Sequence, residues 1–408
     1  MTATRMGLQL RLATLTALAG AWAAAAYFHW SSTRVPDGLH LGGLAEQRFF
    51  SAHFVHRAQH YEQFGYWLWA GQTLTTLAVF VLYAWRGDRF ARESAAGRIG
   101  TAMLLAMLGF ALVWLASVPF EILSLWWQRR YHQSHESYFA VVFGGWLGLG
   151  VTFVFLCVAV LMVVGLAAWL PGSWWIPAAT AFVGLATLFT FVSPYLVGST
   201  HPLRDPELRA AAKRIADEEG VQGVEVRVQH VDTKDANAFT TGLGPTRKVV
   251  LWDSLLDGRF TKREIEVVLA HEYGHQARNH LLKGIAWYAL FAYPGSYLIA
   301  LATRRRGGMR EPAAMPLALL VLVVLNLVAL PFENAISRHM EAEADWVALD
   351  ATRDPAAMES LFRRFAFTGL GDPSPPTVAY LAFENHPTLM QRIAMARAWA
   401  AREQVRSG

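Results

Sequence analysis

The chain has 408 residues, 54% of them hydrophobic and only 16% charged, with 16 Trp, 24 Phe and 12 Tyr. Soluble domains carry about 25% charged residues, so this composition excludes intrinsic disorder, which needs low hydrophobicity, and argues against a purely soluble enzyme. The lone Cys157 excludes a disulfide framework and a cysteine-based zinc site, and the net charge of +5 comes from sparse arginines between apolar runs rather than from a nucleic-acid-binding patch.

A membrane-crossing helix needs about 20 mostly apolar residues. Runs of that kind lie at 10–30, 66–85, 99–120, 139–170 and 174–197, with two more near 282–303 and 313–332. The first run also reads as a signal peptide, with Arg5 and Arg11 before an Ala-rich stretch, although the later runs already commit the chain to a bilayer. Residues 199–281 differ in kind. A charged amphipathic helix is expected over 203–219, with Leu208, Ala212 and Ile215 at helical spacing. Val224, Val226 and Val228 alternate with polar residues as in a strand, 240–245 is turn-rich, and 249–252 reads as a second strand. After 333 the chain is helical again, broken near Asp372–Pro376. The expected architecture is mainly α and multi-pass, with about seven spans and a small α+β module. Its parts are a five-span region at 1–198, the module at 199–281, spans six and seven at 282–332, and carboxyl-terminal helices at 333–408.

The chemistry lies on two helices. Thr261 and Glu264 form a capping box opening a helix expected to run to about Leu281, and His271-Glu272-Tyr273-Gly274-His275 sits on it. Histidines four apart share a helical face and can ligate one metal, and Glu272 beside them can act as general base. Composition alone gives roughly 0.04 such matches in a chain like this. A zinc hydrolase needs a third protein ligand. Glu341 suits it, with Asp345 one turn on as an acceptor orienting a ligand histidine, whereas Glu343 points elsewhere. His339 is the competing ligand, roughly 160–200° around the helix from Glu341. His275 lies six residues before the sixth span and Glu341 ten residues past Pro331, so the metal would sit close to the membrane surface. His53, His56 and His60 also share helical spacing, but no acidic or cysteine partner is obvious and solvation is the expected state. Gln72, Thr75, Thr76 and Asn326 within the spans suit helix–helix hydrogen bonds or an aqueous lining.

With these motifs the chain resembles the Ste-type CAAX prenyl endopeptidases, membrane zinc metalloproteases of the gluzincin group. The similarity rests on residues 271–280 including His280, on Asn334, Ser337, Arg338, Glu341, Ala344 and Asp345, on Asn237-Ala238-Phe239 with Gly242 and 250–253, and on Glu384 to Leu389 with Arg392 and Ile393. The resemblance implies one zinc per chain on His271, His275 and Glu341, with Glu272 as the catalytic base. It places His386 and Arg392 where they stabilise the transition state or hold its geometry, and it puts Asn334, Arg338 and Asp345 behind the ligands. Asn237 and Ala238 would grip an extended peptide at a sheet edge, a common mode of recognition; an ordinary turn is the plain alternative. The spans would surround a water-filled chamber. The implied partners are the bilayer and a peptide or protein substrate, prenylated or otherwise membrane-associated, with no nucleic acid and a monomeric enzyme. The membrane would be the plasma membrane in a bacterium and an ER-type membrane in a eukaryote.

Orientation draws two opposed expectations. Ten arginines (Arg5, Arg11 and the loops 86–98 and 304–310) lie on one side against five (Arg34, Arg48, Arg57, Arg129, Arg130) on the other. The positive-inside rule then puts the module outside the cytoplasm. The resemblance implies a cytosolic module, which is the arrangement adopted here. Two other readings stay open: a heat-shock-type quality-control zinc protease with fewer spans, and a non-catalytic scaffold or transporter with a relic metal site, against which the intact Glu272 argues.

Overall fold

The structure, a computed structural model, describes residues 2–87, 89, 96–231, 233 and 235–407, with side chains described from residue 16 to 406. Arg92 lies outside the described residues, and so do the side chains of Arg5 and Arg11.

The chain order begins with α1 (Thr2–Ser31), α2 (Ala52–Arg86), α3 (Gly97–Arg130), α4 (Tyr138–Trp169) and α5 (Trp175–Leu196). Among the described residues six helices are long and apolar enough to cross a membrane: α2 to α5, a helix beginning at His280 and another running through Pro312–Thr352. The expected figure of about seven is thus an approximation, α1 supplying a further 30-residue helix whose first half has no described side chains. Helices α2 and α3 extend beyond their apolar runs: Ser51 caps α2 by accepting from the Phe54 N–H, and neither extension contains a proline. Most of each apolar stretch is uncovered by protein, as lipid-facing helices require. Between the helices a small cluster of Phe80, Tyr83, Ala102, Leu105, Val164 and Leu319 forms the membrane core.

The polar module follows: β1 (Thr200–Pro202), α6 (Pro206–Glu218), β2 (Glu225–Gln229), β3 (Ala238–Thr241), β4 (Lys248–Trp252) and α7 (Lys262–Ala277). Asp205 sets the start of α6 by accepting from the Glu207 and Leu208 N–H groups, three residues later than expected from periodicity. The sheet order is β1-β2-β4-β3, with β2 and β4 parallel and the outer pairs antiparallel. Strand β3 is therefore an edge. The turn expected over 240–245 begins only at Gly242, whose φ of +86° and near contact with the Thr246 carbonyl leave no room for a side chain. Strand β1 has no periodic signal in three residues.

The rest is helical: α8 (His280–Thr303), α9 (Met315–Thr352), α10 (Pro355–Gly369), α11 (Thr377–Phe383) and α12 (Leu389–Ser407). The expected single helix through Leu281 is two helices. Asn279, at φ +53°, breaks it between Ala277 and His280, and Asn is among the few non-glycine residues that tolerate this left-handed region. Conversely, α9 is one 38-residue helix through Pro331, so the last span and the second metal motif share one rod. One hydrophobic core joins Leu208, Ile215, Val249, Leu251 and Leu269 of the module to Leu349, Met358, Phe362 and Ile393 of the carboxyl-terminal helices.

The cap of α7 ties this core together. Glu264 is 1% exposed and accepts from the Thr261 N–H at 2.7 Å, Ser360 Oγ at 2.6 Å and Arg364 Nε at 2.7 Å. Burial pushes its carboxyl up, but the Ser360, Thr261 and Arg364 donors outweigh burial and hold it below the ordinary 4.5. A depressed folded-state pKa means stability is present above the unfolded value and lost as pH falls through the folded one. Glu264→Gln is therefore expected to cost about 2 kcal/mol near neutral pH and to flatten the loss of melting temperature below about pH 4.5. Thermal unfolding in detergent between pH 7 and 3 checks both; an unchanged acid slope would contradict this account.

Candidate metal centre and catalytic cleft

Helices α7 and α9 cross where both carry small residues. A Cβ on Gly274 would meet Val347 at 3.2 Å and the Ala344 carbonyl at 3.3 Å, and Ala344 is itself fully buried. This close approach brings Glu341 onto the histidine face of α7. His271 Nε2 lies 3.1 Å from Glu341 Oε2, His275 Nε2 lies 3.4 Å from Glu341 Oε1, and the two histidine Nε2 atoms are 3.0 Å apart. Among the described residues these three form the one group of His, Cys, Asp or Glu with donor atoms converging in this way, all within 4.8 Å of one another.

The donor set fits zinc. Tetrahedral ligands at 2.0–2.1 Å stand roughly 3.3 Å apart, a value that the observed separations of 3.0, 3.1 and 3.4 Å bracket. Two facing imidazole nitrogens and a carboxylate make a poor hydrogen-bonded cluster: Glu341 Oε2 is buried yet has no hydrogen bond of good geometry. The environment also draws positive charge. Burial alone would lower the His271 pKa, but Asp345 and Glu341 push it up to about 10.

The His271 ring is oriented from behind. His271 Nδ1 donates to Asp345 Oδ1 at 2.9 Å. Asp345 in turn accepts two bonds from Arg392, Nη2 to Oδ1 at 2.6 Å and Nε to Oδ2 at 2.7 Å. The Arg392 guanidinium also lies 4.0 Å from the centroid of the Phe362 ring. Asn334 and Arg338 reach a different target. Asn334 donates to the Leu381 and Ala382 carbonyls and Arg338 to those of Tyr380 and Glu384, so both hold the segment leading to His386 rather than the ligands themselves. His386 Nε2 comes within 3.2 Å of Glu341 Oε2.

His271, Glu272, His386 and Arg392 line a cleft of about 320 Å³, closed on other sides by Asn237 and Ala238 at the β3 edge, by Phe362 and Phe365 of α10, and by Glu62 of α2. Glu62 Oε1 accepts from the Asp372 N–H at 2.7 Å, fastening a membrane helix to this wall. Glu272 is 6% exposed; burial raises its carboxyl above the ordinary 4.5, while His271 and His275 offset part of the rise. A carboxylate shifted this way sits closer to the pH at which a general base works best. Gln276 anchors α7 to the sheet through Thr240 Oγ1.

The competing placements are not brought together. His339 Nε2 donates to the Trp30 carbonyl at 2.8 Å and its ring stacks on Trp30, away from the cluster. His60 bonds Tyr131 and packs on Trp127. Asn326 donates to the Leu322 carbonyl of its own helix rather than to a neighbour. Glu343 escaped the sequence reading as a site residue. It is 1% exposed and faces Arg278, His280 and Lys283 at the junction of α7 and α8. Spacing alone carries no signal for it, because Arg278, His280 and Lys283 converge on it only across the break at Asn279.

Residues 202–400 match Peptidase family M48. The chain is 30% identical over 239 residues to the uncharacterized metalloprotease YhfN of Bacillus subtilis, covering 55% of this chain and 56% of that protein. It is 29% identical over 224 residues to a protease HtpX homolog of Acaryochloris marina, covering 50% and 75% of the two chains. The matched segment thus spans little more than half of YhfN, and 50% of the HtpX homolog of Limosilactobacillus fermentum. The crystal structure of S. mikatae Ste24p superposes with a TM-score of 0.72 at 18% identity, over 92% of this chain and 96% of that one. The fold, membrane helices included, is of the Ste24p type.

Proposed function

We propose that the M48 peptidase region at residues 202–400, set in this Ste24p-type membrane fold, makes the chain a monomeric, membrane-embedded zinc metalloendopeptidase. The observation that carries the reading is the convergence of His271, His275 and Glu341 beside the buried Glu272, in a cleft that opens along an outer strand of the sheet.

A zinc ion held by His271, His275 and Glu341 would supply Lewis-acid polarisation of the scissile carbonyl and acidify a water. The chain's own groups do the rest. An extended peptide pairs with β3, an outer strand of the sheet, near Asn237 and Ala238. Glu272 takes the proton of the attacking water and hands it to the leaving amine. His386, held beside the cluster by the segment that Asn334 and Arg338 pin, presents its ring N–H to the charge developing on the carbonyl oxygen. Asp345 and Arg392 keep the His271 ring aimed throughout.

The substrate class we propose is membrane-associated peptide, including the prenylated carboxyl-terminal segments implied by the Ste-type resemblance, with the module on the cytosolic side. The Ste24p-type fold over 92% of the chain is the support for this reading, and the local sequence matches to HtpX homologs keep the quality-control protease as the alternative. The deciding assay compares one peptide with and without a farnesyl group, beside an unmodified membrane protein, each with and without a zinc chelator. Faster, chelator-sensitive cleavage of the farnesylated peptide is expected. Equal cleavage of both peptides would argue against prenyl recognition, and chelator-insensitive turnover would remove the metalloprotease reading.

A further inference from the structure

His275 lacks what His271 has, a carboxylate on its outer nitrogen. Its Nδ1 lies instead 2.8 Å from Nδ1 of His280, a buried residue whose Nε2 lies 2.9 Å from Glu343 Oε2. Glu343 also receives Arg278 Nε at 2.6 Å, Lys283 Nζ at 3.1 Å and the Arg34 backbone N–H at 2.8 Å.

We infer that His280 and Glu343 are positioning residues that fix the tautomer of His275, a relay parallel to Arg392 and Asp345 behind His271; the inference rests on His275 being a metal ligand. A carboxylate gripped by two cations and an N–H can only accept, so His280 Nε2 is the donor of that bond. The neutral His280 ring then carries its lone pair at Nδ1. The proton in the contact between the two rings therefore belongs to His275 Nδ1. That leaves the His275 Nε2 lone pair facing the cluster, 3.0 Å from His271 Nε2 and 3.4 Å from Glu341 Oε1. The opposite tautomer would put a proton on the nitrogen that must bind the metal.

The break at Asn279 makes this possible. Residues five apart on an unbroken helix point about 140° away from each other, and only the left-handed turn at Asn279 folds the His280 ring back onto His275. Arg278 and Lys283 flank that turn and meet Glu343 from both sides of it. Helix junction, carboxylate and ligand ring thus form one unit.

The test is zinc affinity of the full-length chain in detergent, by competition with a chromophoric chelator, together with the visible spectrum of the cobalt-loaded protein. His280→Ala is expected to weaken zinc binding by about 10- to 100-fold and to shift the cobalt bands. If the alanine variant does not fold, His280→Gln and His280→Leu decide. The glutamine amide oxygen can accept from His275 and leucine cannot, so tight binding by the first and weak binding by the second is the expected result. A folded His280→Ala, or a glutamine and leucine pair, with wild-type affinity and spectrum would overturn the relay. A wild-type chain that binds no zinc would instead overturn the metal site itself.

Discussion

Glu272→Gln is expected to lower peptide hydrolysis by about 10³-fold while zinc content and melting temperature stay at wild-type levels. The expectation follows from where Glu272 stands. It is outside the three-donor cluster, so its loss removes no ligand. It lines the cleft with little exposure, and burial already disfavours its charged form. A neutral amide of the same shape therefore costs the fold nothing in desolvation, yet an amide cannot take a proton from water and return it to an amine. Turnover, bound zinc and thermal unfolding of one purified preparation separate these effects. Wild-type turnover in the glutamine variant would remove Glu272 from the mechanism. A parallel loss of zinc would mean that the variant fails by losing the site rather than the base.

How much of this was legible in the sequence depends on the range of the forces involved. The spans were readable because lipid imposes a long apolar run, a local property of the chain. The capping box at Thr261 and Glu264 was readable for the same reason, a hydrogen-bond pattern over four residues. The pairing of α7 with α9 came from chemistry, since two histidines on one helix require a third ligand elsewhere. Three things were not legible. Helix α9 continues through Pro331 because nothing at its boundary stops it and a membrane helix tolerates an interior proline, whereas composition suggested a change of unit there. The break at Asn279 is one residue in a left-handed conformation inside an otherwise helical pattern. Glu343 looked like an exposed acid on the wrong face of a helix, because its partners Arg278, His280 and Lys283 converge on it only after that break. Spacing shows which residues share a face, but not which neighbour that face will meet.

Glu341→Ala is expected to remove bound zinc and, with it, the stabilisation that zinc confers. Two nitrogens on one helix leave a weak two-donor site, and the third donor comes from a helix some 70 residues on, so the metal also clamps α7 to α9. At free zinc about 1,000 times the dissociation constant the linkage is worth about 4 kcal/mol, or about 10 °C in a unit of this size. Wild-type protein should therefore lose about that much melting temperature on chelation, and the alanine variant should show no chelator effect. The chelated proteins should melt close together. Glu341 Oε2 is a buried atom without a good hydrogen bond, so deleting it removes a cost as well as contacts with the two histidines. His339→Ala is the matching control. That ring is stacked on Trp30 and bonded to its carbonyl, and its removal should leave zinc content unchanged. Zinc retained in Glu341→Ala and lost in His339→Ala would reverse the assignment, and would require α9 to turn by roughly half a revolution from the orientation in which Asp345 meets His271 and Arg392.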